Sequence, residues 1–193
     1  FDANNITVNT KSKYDGLEIR STLIRRTSDS DLDASGSDDL DYTAESDMNL
    51  YQLSSKVDNS LGFYNITFSR TEYDREYVNG TEVDTYDSTS NTVLLTNTIL
   101  KNKYDITPGI EYEYFDGSFN NTGSYTAKVD TNGENIGYFV NGNFIASDKL
   151  LVSAGIRQDD PSLFSDYTTY RLGGTYDLTG ALKLKSNYAT SVK

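Results

Sequence analysis

The densest run of chemistry-bearing side chains is an acidic one. Asp29, Asp31, Asp33, Asp38, Asp39 and Asp41 place six carboxylates within thirteen residues, hard oxygen donors of the kind that Ca2+ gathers in sets of ~6–8. The run lacks the Asp-x-Asp-x-Asp-Gly spacing and closing Glu of an EF-hand, so a solvated acidic loop stands beside the calcium reading. If a divalent cation binds this chain, these six Asp are where it is expected. A second constellation is Glu111 and Glu113, two apart and on one face of any strand that carries them. Such a pair serves a glycosidase, or it lines a hydrated interior beside Arg157, Arg171, Lys183 and Lys185, which is the reading adopted here.

Other chemistry is excluded by residue type. The chain has no His and no Cys, which removes imidazole bases, Ser-His-Asp and Cys-His machinery, thiolate metal sites and disulfides. No catalytic residue is assigned, and the chain is not expected to be an enzyme. A net charge of -12 with 17 Lys and Arg argues against nucleic acid as a partner and favours cationic ligands or divalent metals. Asn5-Ile6-Thr7, Asn65-Ile66-Thr67 and Asn79-Gly80-Thr81 have the form of glycosylation sequons. Two of them fall inside expected strands, and the motif arises by chance in an Asn- and Thr-rich chain.

The elements that must position these groups are strands. Mean hydropathy is -0.59, and no apolar run approaches the ~18 residues of a membrane helix. Alternation with period 2 recurs instead. Ile106, Pro108, Ile110, Tyr112 and Tyr114 fall on one face, with Asp105, Thr107, Gly109, Glu111 and Glu113 on the other. Val140, Val152, Ile156, Leu182 and Leu184 repeat the apolar face; Asn141, Arg157, Arg171, Lys183 and Lys185 repeat the polar one. The pattern predicts ten strands, over 1–11, 15–27, 47–58, 61–73, 88–101, 104–116, 134–146, 149–159, 166–177 and 180–192.

Short connections near 12–13, 59–60, 102–103, 148 and 179–180 alternate with long polar ones at 28–46, 74–87, 117–133 and 160–165. Short turns on one side and long loops on the other are the pattern of an outer-membrane barrel, whose strands need ~9–11 residues. Tyr14, Tyr64, Tyr73, Tyr104, Tyr112, Tyr114, Tyr167, Tyr170, Tyr176 and Tyr188 cluster near strand ends, where an aromatic girdle meets the headgroups. The fold class expected is therefore all-β, a transmembrane antiparallel up-and-down barrel. Both ends of the chain fall on the long-loop side, so 1–193 is expected to be one partial barrel domain cut from a larger barrel.

Three runs carry a family resemblance: Gly155-Ile156-Arg157-Gln158-Asp159-Asp160, Thr169-Tyr170-Arg171-Leu172-Gly173-Gly174-Thr175-Tyr176, and Leu182-Lys183-Leu184-Lys185-Ser186-Asn187-Tyr188-Ala189-Thr190-Ser191-Val192-Lys193. They resemble the middle of the barrel in TonB-dependent outer-membrane receptors, most of all the cobalamin-receptor branch. The resemblance implies about ten strands of a ~22-strand barrel, located in the bacterial outer membrane. It also implies a plug domain that reaches the TonB complex, a wall against lipid and lipopolysaccharide, and uptake of a scarce nutrient such as cobalamin, an iron-siderophore or haem. Cobalamin receptors order extracellular loops with calcium, which bears on the acidic run. Two other classes compete: a self-contained ten-stranded outer-membrane protein of the omptin type, which would need His, and a secreted β-sandwich or adhesin module, which would need two apolar faces packed together.

Overall fold

In a computed structural model, residues 2–32, 41–123 and 126–191 are described. The elements are β1 (Asp2–Tyr14), β2 (Leu17–Asp31), β3 (Tyr42–Asn59), β4 (Gly62–Asn79), β5 (Glu82–Leu100), β6 (Tyr104–Asn121), β7 (Ala127–Ser147), β8 (Leu150–Pro161), β9 (Tyr167–Thr179) and β10 (Leu182–Ala189). They form one ten-stranded sheet in sequence order, every neighbour antiparallel. The described residues contain no helix.

Cross-strand partners share a face, so the register fixes the inside and outside of the wall. Glu111 faces Gly137, Gly137 faces Asp159, and Asn141 faces Gly155, which faces Arg171. Ile110 faces Leu95 and Tyr138, while Val140 faces Ile156. The two sets predicted from the alternation therefore occupy opposite faces throughout. Ala44, Gly133, Gly137, Asp159 and Gly173 are the buried residues among those described, and all five lie on the face of Glu111. Side chains crowd on a concave surface and splay on a convex one, so the polar face is the concave wall. The apolar face is convex and bare: Ile110 is 38% exposed and Leu184 62%.

The convex face carries its apolar residues as a belt. On β6, Tyr104 and Tyr114 bracket Ile106, Pro108, Ile110 and Tyr112 on the same face. Those residues span ~33 Å along a strand, or ~25 Å of height at the usual tilt of ~40°, the thickness of a lipid-facing band. Above the belt the same face turns polar at once. On β4 it runs Tyr64, Ile66, Phe68 and then Arg70, Glu72, Asp74 and Glu76.

The long connections differ from the expectation. The residues 74–87 are not a loop: β4 and β5 stay paired from Gly62 opposite Ile99 to Asn79 opposite Glu82. A two-residue turn at 80–81 closes them, with Gly80 at φ 59°, the positive φ that tight hairpin turns require. Strands β6 and β7 likewise pair as far as Asn121 opposite Ala127. Strand lengths reach 21 residues, about twice what a membrane needs. The aromatic reading also needs correction: Tyr73 pairs with Met48 and Ser88, and Tyr167 with Asp159, so both point to the concave side. Tyr138, whose alternation with Gly137 and Asn141 already assigns it to the apolar face, and Tyr51 lie on the convex face opposite Ile110 and Arg70 and belong with the girdle set.

Candidate functional site

The concave wall is where this protein can meet a solute. At mid-height its most ordered feature is Arg157. The Nε donates to both carboxylate oxygens of Asp159, at 2.9 and 2.8 Å, and Nη2 donates to Asp159 Oδ1 and Glu111 Oε1, each at 2.7 Å. Asn135 Nδ2 adds a donor to Asp159 at 2.8 Å. The alternation places Arg157 and Asp159 on one face, and Gly137 of the next strand leaves room for the guanidinium. A Cβ at Gly137 would lie 2.2 Å from Arg157 Nη2. The same device recurs where Phe139 lies over Gly109 and Arg171 over Gly155.

Glu111 and Glu113 do share a face, but each has its own partner. Glu111 takes Arg157, and Glu113 accepts from Ser90 Oγ at 2.9 Å. Neither stands opposite the other across an open space, so the pair braces the wall. Lys183 faces Asp177 at 3.5 Å. Arg171 and Lys185 lie on the same wall.

The acidic run is only partly brought together. Asp33, Asp38 and Asp39 lie outside the described residues. Asp29 and Asp31 stand on the convex face of β2, opposite Glu45 and Thr43, and Asp41 sits in the turn before β3. Among the described residues no three carboxylates are grouped closely enough to hold a metal ion.

Above the belt the convex face carries a further acidic row. Asp47, Asp74 and Asp87 stand directly opposite one another on β3, β4 and β5. Burial first, then the facing Asp87, pushes the Asp74 carboxyl above its ordinary value. A carboxyl raised in the folded state contributes stability that is complete below its unfolded pKa and fades as pH rises through the folded one. At neutral pH the row therefore repels itself. Asp74→Asn is expected to gain roughly 0.2–1 kcal/mol over the native chain at pH 7 and to lose that advantage by about pH 3, below the unfolded carboxyl's range. Urea midpoints at the two pH values would check this; an equal gap at both would count against it.

Sequence reasoning missed a cluster at the mouth. Tyr42, Tyr77, Asn79, Glu82, Asp84 and Tyr86, from β3, β4 and β5, line a hollow of about 330 Å³. Their concave-face positions follow from the register, with Tyr77 opposite Ala44 and Asp84, and Tyr86 opposite Arg75 and Phe119. The signal available was Gly80, a turn glycine between Val78 and Val83; a hairpin closed at 80–81 sets Tyr77 opposite Asp84 and puts Tyr86 on the same face. A wider hollow of about 550 Å³, lined by Tyr104, Ile106, Val140, Phe144, Val152 and Ile156 among others, lies within the convex belt.

A single antiparallel sheet in sequence order, with an apolar convex belt and a polar, braced concave face, is the wall of a transmembrane β-barrel. Residues 1–193 match the profile of the TonB dependent receptor-like β-barrel family, and the chain belongs to that family. Solved structures agree on the fold. A copper transporter, OprC, aligns with a TM-score of 0.69 at 10% identity over 91% of this chain and 34% of its own. The siderophore receptor PiuA from Acinetobacter baumannii gives 0.66 at 10% identity over 92% and 40%. The ferric yersiniabactin uptake receptor FyuA from Yersinia pestis gives 0.63 at 15% identity over 92% and 35%. The chain thus spans between about a third and two fifths of the length of these receptors. No curated protein matches it. The family and these relatives are outer-membrane proteins of Gram-negative bacteria, and the family is one of receptors and transporters.

Proposed function

We propose that this chain forms part of the barrel of an outer-membrane receptor that imports a scarce nutrient by TonB-dependent uptake. The observation that carries the reading is the two-faced wall: a convex belt about one bilayer thick, backed by a concave face of paired Arg, Glu, Asp and Asn. A plug inside such a wall would contact the inner-membrane complex, and lipid and lipopolysaccharide would cover the belt.

Cobalamin, an iron-siderophore and haem are the cargoes within the proposal. The cobalamin branch is supported by the runs from Gly155 to Asp160, from Thr169 to Tyr176, and from Leu182 onward. Calcium at the acidic run Asp29, Asp31, Asp33, Asp38, Asp39 and Asp41 belongs to the same proposal on the strength of its Asp content, although the expected 28–46 loop is shortened by the pairing of β2 and β3 from Ser28 opposite Ser46 to Asp31 opposite Thr43. Uptake of labelled cobalamin and of ferric siderophores by cells expressing the full receptor tests the reading. Accumulation that disappears without TonB is the expected result, and equal accumulation with and without TonB would overturn it. Calorimetry on the refolded receptor should show calcium heat if the acidic loop is a site, and no heat would return it to a solvated loop.

A further inference from the structure

We infer that the hollow at the mouth is a cage for a small organic cation, of the alkylammonium or guanidinium class. The inference rests on the receptor reading above and narrows what that receptor's rim would recognise.

Two of the walls are set by ring geometry. Tyr77 and Tyr86 stand at 81° to each other with centroids 5.9 Å apart, so an edge of one meets a face of the other, and both rings line the hollow. Phe119 backs Tyr86 at 4.7 Å, which fixes that ring from behind. Tyr42, from the start of β3, contributes a third aromatic side. The guanidinium of Arg75 sits 4.3 Å over the Tyr77 ring, so this ring already holds a cation on one face. Arg75 does not itself line the hollow.

The lining supplies charge of one sign. Glu82 and Asp84 are its ionisable carboxylates, and neither lysine nor arginine is among the lining residues. Asn121 Nδ2 donates to Asp84 Oδ1 and holds that carboxylate in place. Aromatic faces carry the negative part of a quadrupole, and aromatic walls with a nearby carboxylate are what a desolvated ammonium group requires. An anion would meet repulsion from both. A bare divalent metal is a poor fit, because a hard cation wants ~6–8 oxygens and the described residues group no three carboxylates for it.

The approach suits the same ligand. Asp47, Asp74 and Asp87 stand beyond the belt on the outer face of the same strands, and the chain carries a net charge of -12. A field of that sign raises the local concentration of cations at the rim and their rate of arrival.

Choline, and its neutral isostere 3,3-dimethylbutan-1-ol, discriminate the cage from a merely apolar hollow when each is titrated into the refolded full receptor by calorimetry. The expected result is saturable choline binding and no heat from the alcohol. Tyr86→Leu and Asp84→Asn should each weaken choline about tenfold, with heat-modifiable migration on gels showing that both variants still fold. Equal binding of choline and the alcohol, or choline binding unchanged in both variants, would overturn the cage. Binding of citrate that those variants abolish would overturn it too, by showing an anion site. The nutrient-uptake assay separates this from the receptor reading: absent choline binding with intact TonB-dependent uptake sinks the cage alone, and choline binding without TonB-dependent uptake sinks the receptor reading alone.

Discussion

Ile110→Arg should cost the folded barrel about 2–4 kcal/mol, the penalty for a charged side chain facing lipid near the bilayer midplane. Ile110 stands midway up the belt, between Leu95 and Tyr138 on the convex face and between the Tyr104 and Tyr114 rims on its own strand. Arginine there stands opposite Leu95 and Tyr138, with no carboxylate across from it on either neighbouring strand. Thr92→Arg provides the internal control. Thr92 lies across from Glu113 on the concave face, so the new guanidinium gains a partner in a hydrated space. Urea titrations of both variants refolded into vesicles, followed by heat-modifiable gel migration, should show a large shift for the first and little for the second. A larger shift for Thr92→Arg than for Ile110→Arg would mean that the two faces have been assigned the wrong way round, and equal shifts would mean that the faces do not differ in environment.

Arg157→Ala is expected to be the most damaging truncation on the concave wall. Asp159 has a side chain 4% exposed and would be left with Asn135 Nδ2 as its remaining donor. Stranding one half of a buried ion pair costs ~3–5 kcal/mol. Arg157 and Glu111 are 29% and 25% exposed, which lets water screen part of that, so about 2–3 kcal/mol is expected. Arg157→Lys should recover little, because an ammonium cannot donate to Asp159 and Glu111 in the forked geometry seen here. Adding Asp159→Asn to Arg157→Ala should restore roughly 1–2 kcal/mol, since the uncompensated charge is then gone. Additive losses in the double variant would show that Arg157 matters for packing over Gly137 and Phe139 and not for its charge.

The ten strands and their two faces were legible in the chain because lipid on one side and water on the other impose a period of two that nothing else in the sequence obscures. Ile106 to Tyr114 alone reveals it. What was not legible is how far the strands run. Once β4 climbs above Phe68, both of its faces meet water, and Asp74, Arg75, Glu76 and Tyr77 carry no alternation to read. Polar composition then mimics a loop, although backbone pairing continues to Asn79. The same loss of contrast hid the mouth cluster. Tyr42 is far from Tyr77 and Tyr86 in sequence, and it joins them through the β3–β4 register, which no local pattern encodes. The Arg157 pairing was half legible: its face followed from alternation, but the choice of Glu111 as partner depends on the intervening Gly137 and on a register across three strands.

The length of the hairpins has an electrical meaning. From Arg70, at the upper edge of the belt, to Tyr77 is ~23 Å of strand, or ~18 Å of height at ~40° tilt. At physiological ionic strength the fields of exposed charges decay over ~8 Å. The tip of the β4–β5 hairpin therefore stands more than two screening lengths above the bilayer surface. The phosphates of that surface contribute almost nothing to the potential felt by an arriving solute, and the charged side chains of the wall, carboxylates outnumbering the arginines, set it. Changes in membrane lipid composition should then leave the sign and strength of attraction at the rim untouched, whereas changes in salt should act on it directly.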